Sequence, residues 1–301
     1  MSITAVLLVS ISAGLHALWN LVGKRHNPSA AFFLVSATCA ALLTLPLLFV
    51  YRAALSHVPP GVWGLLLATG LCQAIYYVSL AGAYRRGELS VAYPLVRALP
   101  VLLIALISLG FGKSFTLPAS AGILAVAGGC LLVPLPGFAE FNRRTYLNGG
   151  TGLAVLAALG TTGYTLIDSQ ALAILRNLPA AGISHTGATL LFLALENLVT
   201  VLLLSGYVWL AADERRHWRD FRRSEWLAAA GTGALITAAY GLVLIAMSFV
   251  ANVSYIAAFR QLSIPLGAAL GFLVQKEPAT PPRLVGIGVL VLGLVLVAAA
   301  S

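Results

Sequence analysis

The sequence predicts an all-α integral membrane protein of ten transmembrane helices, arranged as two five-helix repeats of inverted topology. Three observations predict it. Of the 301 residues, 60% are hydrophobic and only 9% are charged, whereas a soluble domain carries about 25% charged residues. The chain divides into ten mainly apolar runs, each near the ~20 residues that a spanning helix needs. Finally, uncommon residues recur at a fixed offset of 163: Trp63 with Trp226, Thr69 with Thr232, Gly70 with Gly233, Tyr77 with Tyr240, Arg97 with Arg260, Lys113 with Lys276 and Pro118 with Pro281. Chance matches between leucine-rich helices would be Leu, Val and Ala. Trp, Tyr, Arg, Lys and Pro at one gap-free offset indicate a duplicated unit.

The runs are 3–22, 29–50, 61–84, 91–110, 117–135, 150–175, 185–211, 225–249, 253–273 and 281–300. Residues 1–136 form the first five-helix repeat, 137–149 a linker rich in Gly and charge, and 150–301 the second repeat. A unit with an odd number of helices enters the membrane from opposite sides in its two copies, which makes the repeat an inverted one.

The basic residues sit between the runs. Thirteen Lys and Arg fall on the side reached after helix 1, and three, Arg52, Lys113 and Arg176, on the other. The positive-inside rule puts the first side in the cytoplasm and both termini outside. The same rule accounts for the net charge of +9 without nucleic acid as a partner. Asp213 to Glu225, DERRHWRDFRRSE, reads as a cytoplasmic loop that fixes topology. Cys39, Cys72 and Cys130 lie inside apolar runs and make neither metal spacing nor a disulfide framework. No cofactor is expected. The first run has no basic segment before it and no clear cleavage site, so a retained helix is expected there.

Polar side chains inside the runs mark a cavity. An arginine at the centre of a bilayer costs about 2.5–3.5 kcal/mol, so Arg97, between Pro94 and Pro100, and its copy Arg260 should turn to a cavity or a partner. Each sits near the start of its run, which predicts opposite halves of the bilayer for the two. Tyr93 and Tyr255, close to these arginines, join the same candidate lining. In helix 1, His16 and Asn20 are four apart and share a face, with Ser12 one turn earlier and Trp19 beside them. Tyr164 and Asp168 share a face of helix 6, while Tyr77 and Tyr240 are the matched tyrosines of helices 3 and 8. An acid in an apolar run must take up a proton or find a partner. Asp168, with Glu196 of helix 7, is therefore a candidate either to carry a proton or to pair with an arginine. Gly122, Gly128, Gly129, Gly286, Gly288 and Gly293 make helices 5 and 10 packing helices, because small residues let backbones approach.

HALWN in helix 1 (His16 to Asn20) and YRRGELSVAYPLVRALP at the junction of helices 3 and 4 (Tyr84 to Pro100) resemble the EamA family of the drug/metabolite transporter superfamily. The resemblance spans essentially the whole chain. It implies a cavity lined by helices 1, 3, 4, 6, 8 and 9 and transport of amino acids, nucleotides, sugars or other small metabolites, often coupled to protons. The small four-helix relatives carry a glutamate in helix 1 where this chain has Asn20, so their coupling residue does not transfer.

These readings make the chain a secondary active transporter that works by alternating access, with a small-molecule substrate, in a bacterial inner membrane and as a monomer. Substrate contacts are assigned to His16, Trp19, Asn20, Tyr77, Tyr93, Arg97, Tyr164, Tyr240, Tyr255 and Arg260. Within the same fold, a passive facilitator or multidrug exporter is the alternative. A membrane-embedded enzyme or receptor is the alternative of another class, and scattered histidines speak against the enzyme.

Overall fold

The computed structural model describes residues 2–26, 29–86, 89–135, 137–138, 149–178, 182–274 and 278–300. Among them every regular element is helical. The long helices are α1 (Ile3–Arg25), α2 (Ala30–Val50), α3 (Pro60–Arg86), α4 (Leu89–Gly110), α5 (Leu117–Leu132), α6 (Gly149–Arg176), α7 (His185–Leu210) and α8 (Arg223–Ala246). They are followed by α9a (Val253–Phe259), α9b (Ser263–Val274) and α10 (Pro281–Ala300). Most of the expected linker, 137–149, lies outside the described residues.

Among the described residues eight helices are long and apolar enough to cross a membrane, and the apolar stretches Leu95–Gly110 and Leu117–Leu132 are shorter. Large apolar side chains such as Leu117, Leu210 and Leu273 are more than three-quarters exposed. That surface suits lipid, where Leu costs nothing to expose, and the chain is a multi-pass membrane protein.

Side chains that accept from the first free N–H groups start several helices. Ser29 accepts from Phe32 N, Ser184 from Gly187 N and Asn252 from Ser254 N. The ninth run differs from the sequence expectation of one continuous helix. A 3₁₀ turn, Arg260–Leu262, separates α9a from α9b. Pro265 has no N–H and its ring crowds the carbonyl four residues back, at Gln261, which disfavours an α-helical turn there. By contrast, α4 runs unbroken through Pro94 and Pro100. The basic stretch expected as a loop contains a short helix, Ala212–Arg219, with Asp213 and Glu214 in its first turn and Arg216, His217 and Arg219 in its last. Those charges complement the helix dipole.

Packing follows an exchange pattern. α1 packs on α8 and α9b, and correspondingly α6 packs on α3 and α4. α2 meets α7 and α8, α7 also meets α3, and α5 meets α10. Swapping the first five helices for the last five maps each of these contacts onto another or onto itself. The matched glycines obey the same swap: a Cβ on Gly70 of α3 would strike Val199 of α7, and one on Gly233 of α8 would strike the Ser36 carbonyl of α2.

At one end of the bundle Glu214, only 2% exposed, accepts from Ala31 N at 3.0 Å and from Arg85 Nη2 at 2.6 Å. This ties the start of α2, the end of α3 and the helix Ala212–Arg219 together. At the other end Arg176, closing α6, donates to Thr189 Oγ1 at 2.9 Å and to the Leu244 carbonyl at 2.7 Å.

The α5–α10 seam is a backbone contact. A Cβ on Gly129 would lie 2.7 Å from the Gly286 carbonyl, and one on Gly286 would lie 2.7 Å from Val133 N. Gly122 and Gly293 face each other in the same way, whereas Gly128 and Gly288 have nothing within 4 Å. Gly286→Leu should therefore destabilise the purified protein by about 1–3 kcal/mol, the usual cost of overpacking. Gly288→Leu should leave the thermal unfolding midpoint in detergent unchanged.

Candidate functional site

Helical spacing aims polar side chains at one interior space. His16 and Trp19 of α1, Gln73, Tyr76 and Tyr77 of α3, and Tyr164 of α6 line it. Asn197 of α7, Tyr240 of α8 and Arg260 at the 3₁₀ turn complete this main lobe, about 700 Å³ of space that is partly continuous with the outside. A second lobe of about 410 Å³ lies beside it, lined by Arg97, Thr161, Thr165 and Gln261. His16, Tyr76, Tyr164 and Arg260 border both lobes.

The two arginines approach each other across the repeat. Arg97 Nη2 donates to Ser263 Oγ at 3.2 Å, and Ser263 Oγ donates to the Arg260 carbonyl at 3.0 Å. Arg260 Nη2 donates to Tyr164 Oη at 3.4 Å, and its guanidinium lies 5.5 Å from the Tyr240 ring centroid and 6.0 Å from that of Tyr164. A guanidinium over aromatic faces gains cation–π attraction, which grows when water is excluded. Tyr164 and Tyr240 stand edge to face at 5.5 Å, and Tyr77 stacks on Phe33 at 4.9 Å.

Trp19 Nε1 donates to His16 Nδ1 at 3.0 Å. Indole nitrogen only donates, so Nδ1 must be the acceptor and His16 is the neutral tautomer with its hydrogen on Nε2. That hydrogen is the donor left to the cavity.

Behind the cavity wall lie two acids. Asp168 and Glu196 are both 0% exposed. Asp168 accepts from Thr69 Oγ1 at 2.5 Å and from the Tyr240 hydroxyl. Glu196 accepts from Gln73 Nε2, and Gln73 Oε1 accepts from Thr200 Oγ1 at 2.9 Å. The two carboxyls are neighbours and Thr69 borders both. Glu196 Oε2 meets no N–H or O–H donor among the described residues, and its carboxyl lies beside that of Asp168. Neither acid lines the cavity, but each is reached from it through one side chain that does: Tyr240 for Asp168 and Gln73 for Glu196.

Residues 1–135 match the EamA-like transporter family. One solved crystal structure superposes on this chain with a TM-score of 0.71, covering 98% of each chain at 15% identity. That is a likeness of fold alone. No curated protein matches the chain in sequence.

Of the residues that the sequence singled out, His16, Trp19, Tyr77, Arg97, Tyr164, Tyr240 and Arg260 line the cavity. Asn20 does not. Its Nδ2 donates to the His16 carbonyl at 2.8 Å, one turn back on its own helix. Tyr255 is buried elsewhere, its ring edge-on to Phe115 at 6.0 Å, and the Tyr93 side chain lies outside the described residues. Of the two acids held open for proton carrying or for pairing with an arginine, Asp168 takes donors from threonine and tyrosine, and Glu196 from glutamine. Tyr240 stands between, with its hydroxyl on Asp168 and its ring under Arg260.

Sequence reasoning left out Tyr76, Thr165, Asn197 and Gln261 as site residues. Tyr76 had a signal, since it stands three residues after Gln73 on the polar face of α3. Asn197 had none, because its neighbour Glu196 dominates the reading of α7.

Gln73 joins the acid pocket to the cavity, so its loss should cost more than its own hydrogen bonds. Gln73→Leu leaves a buried acid without its donor and should destabilise the protein by about 1–3 kcal/mol. Adding Glu196→Leu should recover most of that loss, because removing both partners is nearly neutral. Chemical denaturation of the two variants measures the difference.

Proposed function

We propose that this chain is a proton-coupled secondary transporter that moves a small metabolite by alternating access. The observation that carries the reading is the buried pair Asp168 and Glu196, held behind Tyr240 and Gln73. Two ionised carboxylates side by side in an apolar medium repel each other and lose their hydration, so the pair holds at least one proton. Glu196 Oε2, an oxygen without a donor, is a place for that proton to sit or leave. Tyr240 and Gln73 belong to both the cavity wall and the acid pocket, so a solute that moves either one changes the energy of the proton behind it. A passive facilitator needs no such pair.

The wider architecture in this proposal is ten transmembrane helices in two inverted five-helix repeats. The exchange pattern of helix contacts and the matched glycines support it. The excess of Lys and Arg on the side of Arg85 and the helix Ala212–Arg219 supports a bacterial inner membrane location with both termini outside. The unit works as a monomer, rocking one half against the other around the fixed cavity.

Proteoliposomes test the coupling. With a panel of radiolabelled carboxylates, amino acids and amines, the wild-type chain should concentrate a transported solute when a pH gradient is imposed. Asp168→Asn should keep exchange at equal concentrations and lose at least tenfold of the gradient-driven accumulation, a drop of about 1.4 kcal/mol in driving force. Undiminished accumulation in an Asp168→Asn, Glu196→Gln double variant would remove the acid pair from the mechanism.

A further inference from the structure

The cavity is chemically divided, and the division names a substrate class. We infer that its ligand is an amphiphilic organic oxyanion whose charged head sits in the lobe between Arg97 and Arg260 and whose flat apolar body lies among the aromatic rings of the main lobe.

The head lobe is a place for an acceptor. Two guanidiniums border it, and Ser263 fixes one relative to the backbone of the other. Thr165, 0% exposed, borders this lobe, and its hydroxyl has no hydrogen-bond partner among the described residues. Leaving a buried hydroxyl unpaired is unfavourable, so a ligand that accepts from it relieves the cost. The His16 Nε2 hydrogen adds a further donor at the boundary of the two lobes. Gln261, 6% exposed, also borders the lobe and has an Oε1 without a partner among the described residues, which suits a head group that brings one hydrogen of its own.

The body lobe is a place for an apolar plate. Trp19, Tyr76, Tyr77, Tyr164 and Tyr240 give it faces and edges on several sides. Aromatic walls also favour organic cations, but here a guanidinium already lies over two of the rings. The acids that could attract a cation stand behind Tyr240 and Gln73 and do not line the space. Charge therefore selects an anion.

This inference rests on the cavity being the transport site, but its test is binding, read without flux. The purified protein is titrated with benzoate, benzenesulfonate, acetate, benzyl alcohol and benzyltrimethylammonium, following Trp fluorescence and the thermal unfolding midpoint. Benzoate or benzenesulfonate should bind at least tenfold tighter than acetate or benzyl alcohol, and benzyltrimethylammonium should not bind. Arg97→Gln should weaken the aryl anion about tenfold or more, as expected for the loss of a charged hydrogen bond, with benzyl alcohol unaffected. Arg97→Lys should restore part of the loss, and Thr165→Val should give a smaller one. Unfolding of the ligand-free variants at the wild-type temperature excludes misfolding.

Binding of the ammonium as tight as that of the anions, or an Arg97→Gln protein with unchanged anion affinity, overturns the inference. Gradient-driven flux of amines without anion binding would leave the transporter reading standing and this one refuted. Anion binding without any flux would do the reverse.

Discussion

Two carboxyl groups removed from water, with no guanidinium of the described residues in contact, constrain everything around them. Burying one ionised carboxylate costs several kcal/mol even after the surroundings relax, and a folded protein has only about 5–15 kcal/mol to spare. The fold meets this demand with donors drawn from two helices, Thr69 and Gln73 on α3 and Tyr240 on α8, while Thr200 on α7 donates in turn to Gln73. Those helices must hold position to within hydrogen-bond tolerance. The acids thus determine how closely α3, α6, α7 and α8 approach.

Close approach in turn depends on missing side chains. Gly160 brings α6 against the Cys72 carbonyl of α3, and Gly163 faces the Cys72 sulfur. Between lipid-exposed helices there is no hydrophobic drive to associate, so contact area and polar bonds must supply cohesion. The seam between α5 and α10 shows the limiting case, with backbone against backbone and no charge involved. That seam lies apart from the cavity, and the polar helices are arranged around the space it leaves free.

Much of this was legible in the sequence. Apolar run length is set by the bilayer, and for that reason the expected helix ends fall within three residues of the observed ones. The fixed offset located Tyr77, Tyr240, Arg97 and Arg260, all of which reach the cavity. What the offset hid was difference between the copies. Pro100 and Pro265 follow their arginines at unequal distances, and only the second coincides with a broken helix. Face periodicity also could not say that Asn20 would bond its own backbone, a local option always open to a short amide. Tyr255 shows the same limit, since nearness to Arg260 along the chain says nothing about which neighbour its ring meets. The pairing of acid with arginine failed to appear for a spatial reason: a tyrosine ring occupies the gap between Asp168 and Arg260.

The interruption of the ninth helix gives the two halves unequal mechanics. Arg97 lies within an unbroken helix, with intact turns before and after it. Arg260 sits where the hydrogen-bond pattern changes between two helical segments, the kind of element end at which backbone torsions can absorb a change of direction. The two halves therefore differ in backbone at the very position where their sequences agree.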